Sequence, residues 1–265
     1  MAKDVNTLIN PEAIPGWIPA HSKEWYAQLS HQKGKYEYEW QSTVTEPNGE
    51  TVFDKLVLDH SVGQRVVDIG CGHGAFARRC SQVAAKVIGY DQVERFIERA
   101  QVGARANVHF VVGSADTRQL PFKGGEFQLA YIRKGPTSAY VDIARVVEKE
   151  GLVFGLHPGD RLAQELPILF PNLYEPVKGT PILSKLQQRL AESGLSESHV
   201  EEVLSVEYIK RPIDVIKMKA FGQSSEVLAT LTRRALPEVE RVFAARATSR
   251  GLALTHARYL VRARV

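Results

Sequence analysis

A run of β-branched residues that leads directly into a glycine-rich turn constrains the fold of this chain more than any other feature. The run is Val66-Val67-Asp68-Ile69, the turn is Gly70-Cys71-Gly72-His73-Gly74, and residues 74–84 have a helical pattern. A short apolar run bounded by glycine is typical of a buried parallel strand. Glycine has no Cβ, so a ligand can approach the backbone of such a turn closely. The segment therefore predicts a strand–turn–helix unit with a ligand at the end of the strand, facing the helix N-terminus.

Strand-like and helix-like segments alternate beyond this unit. The strands read RVVDIG, KVIGYD, NVHFVVGSA, EFQLAYIR, GLVFGLHP, HVEEVLSVEYI and LALTHARYLVRARV. Alternation at this spacing predicts βαβ units and a parallel sheet, while the polar–apolar pattern of the last strand suits an antiparallel or edge position. A helical insert is predicted at about residues 212–249. The predicted fold class is α/β, a Rossmann-like, doubly wound, mostly parallel seven-stranded sheet with an N-terminal helical extension and that insert.

Residues 1–55 differ from the body formed by residues 56–265, because they are rich in aromatic side chains. We call them the head. Its large rings are Trp17, Trp25, Tyr26, Tyr36, Tyr38 and Trp40, and two short helices with a turn at Gly34 fit its sequence. Two interpretations stay open. The head closes over a bound ligand as a lid, with Tyr26, Tyr36 and Trp40 against the substrate, or it only packs onto the body.

The composition is that of an ordinary folded protein. The chain has 265 residues, of which 44% are hydrophobic and 24% charged, enough for one large α/β domain with an appended segment. No apolar run approaches the ~20 residues that span a bilayer, and the N-terminus lacks the pattern of a secretory signal. Cys71 and Cys80 are too few for a disulfide framework or a cysteine-only zinc site. We therefore expect a cytoplasmic protein without a metal and without membrane association.

Two further acids follow the next two strands. Asp91 closes KVIGYD about 20 residues after the glycine turn, where a carboxylate accepts hydrogen bonds from ribose hydroxyls. The run Gly113-Ser114-Ala115-Asp116 follows the third strand, and its small residues leave room for adenine. Asp116 can accept a hydrogen bond from the adenine amine. Each acid also has a structural interpretation, as a helix cap or a turn residue. Because the carboxyl ends of parallel strands share one edge of a sheet, the three segments in order predict a nucleoside site.

The glycine spacing indicates which nucleoside. It is G-x-G-x-G with Asp68 two residues before the first glycine, which suits a cationic amino group better than a pyrophosphate. An amino acid attached to the nucleoside carries that ammonium, and its carboxylate suits the helix N-terminus. This spacing speaks against an NAD-dependent enzyme.

The segments VVDIGCGHG, GYDQ, GSAD and FQLAYIR resemble the successive motifs of class I S-adenosylmethionine-dependent methyltransferases, closely over residues 60–160. The resemblance implies a transferase that uses S-adenosyl-L-methionine (SAM) and releases S-adenosyl-L-homocysteine (SAH). It implies Asp68, Gly70 and Gly72 at the methionine part, Asp91 and Gln92 at the ribose, and Ala115 and Asp116 at the adenine. The full set of cofactor-binding residues is Asp68, Gly70, Cys71, Gly72, Asp91, Gln92, Ser114, Ala115, Asp116 and Tyr131.

Methyl transfer depends more on aligning the acceptor and excluding water than on covalent help. The candidate catalytic residues are Tyr131, Arg133 and His157, with Asp160 as a further candidate, because they lie at or just after strands four and five. His157 is also a candidate for substrate binding, and the alternative is a turn residue. The basic pair Arg133-Lys134 either binds an acidic or phosphorylated substrate or forms a salt-bridged turn.

The acceptor is predicted less directly than the cofactor. The net charge is +4, and the arginine-rich stretch from residue 233 onward is either a phosphate-binding face or a set of solvated charges on a helix and an edge strand. The stretch GLVFGLHPGDRLAQEL distantly resembles rRNA guanine-N1 methyltransferases, whose four-cysteine zinc module is absent from this sequence. No Asn/Asp-Pro-Pro-Tyr follows strand four, and no cysteine near strands four or five offers a covalent cytosine-C5 mechanism. We expect a small-molecule acceptor with an O, N or C nucleophile, with an rRNA or tRNA base as the alternative, and a monomer or homodimer.

Overall fold

The computed structural model describes residues 8–114 and 116–265. The strands in the described part are β1 (Ser42–Val44), β2 (Arg65–Ile69), β3 (Lys86–Asp91), β4 (Val108–Val112), β5 (Phe127–Arg133), β6 (Val147–Pro158), β7 (Ser196–Ile209) and β8 (Leu252–Arg264). The α-helices there are α1 (Lys23–Lys33), α2 (Gly49–Ser61), α3 (Ala75–Cys80), α4 (Glu94–Gln101), α5 (Tyr140–Val146), α6 (Leu166–Leu169), α7 (Pro181–Ala191), α8 (Pro212–Lys219) and α9 (Ser225–Arg246). None of these helices is both long and apolar enough to cross a bilayer.

The strands form one mostly parallel sheet, which confirms the predicted fold class. Within the described residues the order is β1-β7-β8-β6-β5-β2-β3-β4. The neighbours from β6 to β4 are parallel, whereas β8 pairs antiparallel with β6 and β1 with β7. The last strand is thus antiparallel, as predicted, but it lies between β7 and β6 and not at an edge. The eighth strand is β1, which comes from the head.

Both faces of the central parallel strands β2, β3 and β5 are buried, which explains their continuous apolar runs. Along β2, Val66 packs with the helices α2, α3 and α4, and Val67 and Ile69 pack with α5 and α7 on the other face. Because side chains alternate along a strand, Asp68 belongs to the same face as Val66. The acid at the end of this strand therefore points toward the side of the sheet that α2 and α3 cover.

The chain reverses its direction across the sheet beside β2. It proceeds outward through β3 and β4 and then returns to β5 on the other side of β2. A topological switch point therefore lies between β2 and β5. In open α/β sheets, ligands bind at the carboxyl ends of the strands at such a point, and here those ends carry the glycine turn and the segment from Arg133 to Pro136.

The chain divides into two compact units. One comprises the head up to Glu46, Arg161–Lys178 and Ser205–His256, and the other comprises Pro47–Asp160, Gly179–Leu204 and Ala257–Val265. The glycine turn lies in the second unit. The head and the insert, predicted as separate additions, share the first unit, and the predicted boundary near residue 55 falls within α2.

The first unit has its own apolar core. Its buried members come from the head, α6, α8, α9 and β8, and include Ile14, Leu166, Val215, Leu231, Val239 and Leu254. In the head, α1 begins after Ser22, whose side chain accepts from the N–H of Trp25, and ends at Gly34 in the left-handed conformation with φ of 62°. The turn at Gly34 is thus confirmed, but the second predicted helix of the head is wrong: residues 36–40 are irregular and lead into β1.

Candidate active site

The glycine turn follows β2 and is joined to the end of β3 by hydrogen bonds. The N–H groups of Gly70 and Cys71 donate to the carbonyl oxygen of Tyr90 at 2.7 and 3.1 Å, and the N–H of Gly72 donates to Oδ2 of Asp91 at 2.8 Å. Gly70 and Gly72 have φ values of 80° and 55°, in the left-handed region that favours glycine. A Cβ placed on Gly72 would meet no atom within 4 Å. The turn is therefore firmly held while the space beside Gly72 is open.

Asp68 is the polar group buried beneath this turn. Its side chain is 2% exposed, and its Oδ1 accepts no hydrogen bond from the described residues. Burial raises the pKa of its carboxyl to about 7, against the opposing effects of the Tyr131 hydroxyl and the Arg133 guanidinium. A buried oxygen without a donor costs free energy. A cationic donor such as an ammonium group would satisfy Asp68, as the sequence predicts.

Both carboxylate oxygens of Asp91 accept hydrogen bonds from backbone N–H groups. Oδ2 accepts from Gly72, and Oδ1 accepts from the N–H of Val93 at 2.9 Å, just before α4. Burial is the main cause of a raised pKa of this carboxyl. Each oxygen retains a further lone pair, so the role as a cap and the role as acceptor for ribose hydroxyls are compatible. The neighbouring Gln92 is exposed.

The segment after β4 is organised by Tyr90. The N–H of Ser114 donates to the hydroxyl of Tyr90 at 2.9 Å, and the N–H of Asp116 donates to Oγ of Ser114 at 3.1 Å. The Asp116 carboxylate accepts from the guanidinium of Arg118 at 2.9 and 2.8 Å, which lowers its pKa to about 2. Ala115 lies outside the described residues. The roles of Ser114, Ala115 and Asp116 at an adenine stay predictions.

Two of the predicted catalytic residues lie in the interior of the sheet. The Tyr131 ring is fully buried and packs edge-on against Phe53 and Phe76, with ring centroids 6.4 and 5.4 Å away. Its hydroxyl is on the Asp68 side of the sheet. His157 is 2% exposed and its Nε2 lies 2.9 Å from the hydroxyl of Tyr140. Burial lowers the pKa of His157 to about 3, so the ring is neutral. The structure places both residues within the core and not at an open edge.

Asp160, the further candidate, is also buried and fully engaged. Its two carboxylate oxygens accept the N–H groups of Ile182 and Leu183 at 2.9 and 3.0 Å. The hydroxyl of Tyr259 donates to the same carboxylate at 2.9 Å. The side chain thus satisfies the first turn of α7, as a helix cap does.

Arg133 lies at the end of β5 and is held by Asp54 of α2. Its Nε and Nη2 donate to the two carboxylate oxygens at 2.8 and 3.3 Å. Asp54 also accepts from Nη1 of Arg79 at 2.7 Å, and both guanidinium groups lie 5.1 Å from the ring of Phe76. The sequence does not predict Asp54, because a single acid on an amphipathic helix is usually solvated.

The segment after Arg133 packs directly against the glycine turn. A Cβ placed on Gly70 would lie 2.7 Å from Cδ of Pro136 and 2.9 Å from Cα of Gly135. Only glycine at position 70 permits this approach. The ends of β2 and β5 are therefore in contact at the switch point, and Arg133 and Lys134 belong to the surroundings of the turn.

The aromatic residues of the head surround Phe221 in the first unit. The centroids of Trp25, Tyr36, Tyr38 and Trp40 lie between 5.3 and 5.8 Å from the Phe221 ring. Tyr26 packs edge-on against Trp25 at 5.0 Å, and Nε1 of Trp40 donates to Glu207 at 3.1 Å. The interpretation of the head as a packing element thus has direct contacts within this unit, and the substrate-binding roles of Tyr26, Tyr36 and Trp40 stay predictions.

The described part of the chain, residues 8–114 and 116–265, has no group of three His, Cys, Asp or Glu side chains placed so that they could hold a metal ion. Tyr90 is the residue at the carboxyl edge of the sheet that the sequence did not predict. Its carbonyl oxygen holds the glycine turn and its hydroxyl holds Ser114, and the only signal in the sequence was its place before Asp91.

Comparison with known proteins identifies the same region of the chain. Residues 66–151 match a family model described as a methyltransferase domain. An uncharacterized methyltransferase of Synechocystis is 28% identical over 131 residues, which are 46% of this chain and 58% of that protein. A malonyl-[acyl-carrier protein] O-methyltransferase of Legionella pneumophila is 27% identical over 97 residues, which are 36% of this chain and 34% of that protein. The matches thus span between about a third and just over half of these curated relatives.

A solved structure extends the similarity to nearly the whole chain. A protein of Deinococcus radiodurans R1 described as functionally unknown has a TM-score of 0.61 and 24% identity, with 91% of this chain and 99% of that chain covered. At this identity the match establishes the fold alone. The predicted resemblance to class I methyltransferases is supported over residues 66–151, and the distant resemblance to rRNA guanine-N1 methyltransferases stays a prediction.

Proposed function

We propose that the protein is a SAM-dependent methyltransferase that acts on a small-molecule acceptor. The observation that carries the proposal is the buried carboxyl of Asp68 beneath the glycine turn. Its Oδ1 accepts no well-formed hydrogen bond from the described residues, and the hydroxyl of Tyr131, which interacts with this carboxyl, is likewise buried without a well-formed hydrogen bond among them. The open space beside Gly72 and the carboxylate of Asp91 complete a site with the features that an aminoacyl nucleoside requires. The methyltransferase family model covers this same segment.

Three parts of the chain would hold the cofactor. Asp68 would accept the ammonium group, the turn at Gly70 and Gly72 would leave room for the methionine part, and Asp91 would accept the ribose hydroxyls. When bound, SAM supplies an electrophilic methyl carbon, so a lone pair of the acceptor forms a bond to it as the carbon–sulfur bond breaks and SAH is left. The contribution of the protein is then to position the acceptor and exclude water.

Several arginines of the C-terminal stretch already have partners, which favours a small acceptor over RNA. Arg241, Arg262 and Arg264 form ion pairs with Glu238, Glu201 and Glu150, at distances between 2.5 and 3.7 Å. Arg250 lies 4.3 Å from the ring centroid of Tyr208. Binding along an RNA backbone depends on many cations that release counterions from phosphates. Arginines that already have carboxylate partners are less suited to this role.

Calorimetry and a transfer assay test the proposal in two steps. We expect the purified protein to bind SAH and not NAD, and a lack of SAH binding would overturn the assignment. The protein is then incubated with SAM labelled in the methyl group and with two fractions of a cell extract, a small-molecule filtrate and purified RNA. Label in the filtrate supports a small acceptor, and label in the RNA fraction contradicts it.

A further inference from the structure

Four basic side chains gather around two acids beside the glycine turn. We call this group the basic cluster. It consists of Arg79, Arg133, Lys134 and Arg258 with Asp54 and Glu50, all within the second unit. Asp54 and Glu50 both lie on α2, Arg133 and Lys134 at the end of β5, and Arg258 on β8. Elements that are distant in the sequence thus bring positive charge to one place.

The charges of the basic cluster do not balance. Asp54 is shared by Arg79 and Arg133, at 2.7 and 2.8 Å. Glu50 is shared by Arg258 at 2.7 Å and, more loosely, by Lys134 at 3.8 Å. Four cations around two carboxylates leave two positive charges over among these six side chains. The nearby Asp68 interacts electrostatically with Arg133, but it is the group that we assign to the ammonium of the cofactor.

Three of the four cations lie where water screens their charge poorly. The side chains of Arg133 and Lys134 are 24% and 23% exposed and that of Arg258 is 7% exposed, whereas that of Arg79 is 52% exposed. Charges that are partly buried interact more strongly than charges in water. An anion at this place would gain from the field of several cations at once, and Arg133 and Lys134 retain enough exposure to reach it.

The backbone at Lys134 holds this side chain in an unusual way. Lys134 has φ of 60°, in the left-handed region, and its N–H donates to the carbonyl oxygen of Leu156 at 2.7 Å. A non-glycine residue in this region is strained, and strain of this kind is common at functional sites. The following Gly135 and Pro136 touch Gly70, so the strained residue immediately precedes the contact between the two strand ends.

We infer that the methyl acceptor carries a carboxylate or phosphate group that binds to Arg133 and Lys134, with Arg258 adding to the field. The inference rests on the proposed function and adds the chemical class of the acceptor. Arg79 is a positioning residue here, since it shares Asp54 with Arg133. Guanidinium and ammonium groups bind both carboxylates and phosphates. The test therefore uses one probe of each kind.

The pKa of Lys134 predicts how anion binding should depend on pH. Burial and the repulsion of Arg133 lower the pKa of Lys134 to about 8, with a smaller contribution of the same sign from Arg258, while Glu50 and Asp54 oppose the shift. Above this pH the side chain loses its charge. The affinity for an anion should therefore fall as the pH rises from 8, whereas Lys134→Arg should keep its affinity because arginine remains protonated.

Calorimetry on the full chain saturated with SAH tests the inference. The probes are malonate and inorganic phosphate, with malonamide as the uncharged analogue of malonate. We expect at least one anion to bind and malonamide not to bind. Lys134→Met and Arg133→Met should weaken binding of the anion by about tenfold or more, the effect of removing a charged hydrogen-bond partner. Lys55→Met removes the same charge from an exposed site of α2 paired with Asp59 and should change nothing.

The outcomes separate this inference from the proposed function. The inferred anion site is wrong, while the cofactor site stands, if the wild type binds SAH but neither anion. The same holds if Lys55→Met weakens anion binding as much as Lys134→Met does. If wild type does not bind SAH, the proposed function is wrong. Should Arg133→Met fail to fold, Lys134→Met and the pH dependence of Lys134→Arg still decide the question.

Discussion

At the scale of single residues, the carboxyl of Asp68 couples the stability of the protein to pH. Its pKa is raised to about 7 by burial, whereas in the unfolded chain it is about 4. A carboxyl with a higher pKa in the folded state binds more protons there, so the free energy of unfolding falls as the pH rises. The loss begins near pH 4 and is complete above pH 7.

We therefore expect Asp68→Asn to stabilise the protein without SAH more at pH 8 than at pH 5. The melting temperature, measured by circular dichroism at both values, checks this expectation. The same variant should bind SAH more weakly at pH 8, because an amide does not attract the ammonium group as a carboxylate does. An equal change of melting temperature at pH 5 and pH 8 would contradict a raised pKa at this position.

Asp91 provides a second test at this scale. We expect Asp91→Ala to weaken SAH binding by roughly 1–3 kcal/mol, the cost of removing a charged acceptor from hydroxyl donors. Because Asp91 also holds Gly72 and Val93, Asp91→Asn is measured beside it. The control is Asp59→Ala, which removes an exposed carboxylate from α2. Unchanged affinity in a folded Asp91→Ala protein would remove this residue from the cofactor site.

The pattern of residues predicted which segments meet at the carboxyl edge of the sheet better than it predicted which side chains are open to solvent. Gly72 and Asp91 follow from the rule that parallel strands end at one edge, and they are hydrogen-bonded to each other. Tyr131 and His157 lie on strands buried on both faces, so their apolar runs do not reveal which side chains face open space. Their burial depends on α2, α5 and the aromatic partners that only the fold brings together.

At the scale of elements, the turn after β2 combines firm attachment with open space. A side chain at Gly70 would push against Pro136 and disturb the end of β5, so substitution there would test packing as much as binding. Gly72 is the better probe, because its Cβ would enter the open space. The strain of the left-handed backbone, about 1 kcal/mol, applies to any alanine at such a position.

We expect Gly72→Ala to weaken SAH binding by about tenfold or more, since a methyl group takes space that the ligand needs. Gly103→Ala is the matched control: Gly103 has φ of 69° and, like Gly72, has no atom within 4 Å of an added Cβ. Both variants should lose similar stability in urea unfolding, and only Gly72→Ala should lose affinity in calorimetry. Similar affinities in both would show that the turn does not surround the cofactor.

Element boundaries were predicted less well where helix and strand patterns overlap. The segment TSAYVDIARVVEKE has a helical pattern throughout, but α5 ends at Val146 and Val147 already belongs to β6. Both residues are β-branched, and the sheet pairing of β6 decides between them. In the head, Tyr36, Tyr38 and Trp40 recur every second residue, an extended and not a helical period, and each of them packs against Phe221, which lies far away in the sequence.

At the scale of the whole molecule, the tryptophans and the glycine turn lie in different compact units. Trp17, Trp25 and Trp40 belong to the head and thus to the first unit, while the glycine turn belongs to the second. Within the first unit, Nε1 of Trp25 donates to the carbonyl oxygen of Phe221 at 2.9 Å, and Gln223 accepts from and donates to Ile18 at 3.0 and 2.6 Å. The head is thus part of the core of this unit.

Phe221 is the residue on which that arrangement depends most. We expect Phe221→Ala to lower the free energy of unfolding detected by tryptophan fluorescence by about 2–4 kcal/mol, the cost of emptying a partly buried aromatic site. SAH affinity should be unchanged if the head only packs within its own unit, since the rings of Trp25, Tyr36, Tyr38 and Trp40 around Phe221 all belong to the first unit. Phe122→Ala makes the same substitution in the second unit, where Phe122 packs against Tyr90 and Phe127. It is the control for the fluorescence signal and not for SAH affinity, because Tyr90 holds the glycine turn. Urea unfolding with fluorescence detection, together with calorimetry of SAH, measures both quantities. A loss of SAH affinity in folded Phe221→Ala would instead favour the interpretation of the head as a lid on the cofactor.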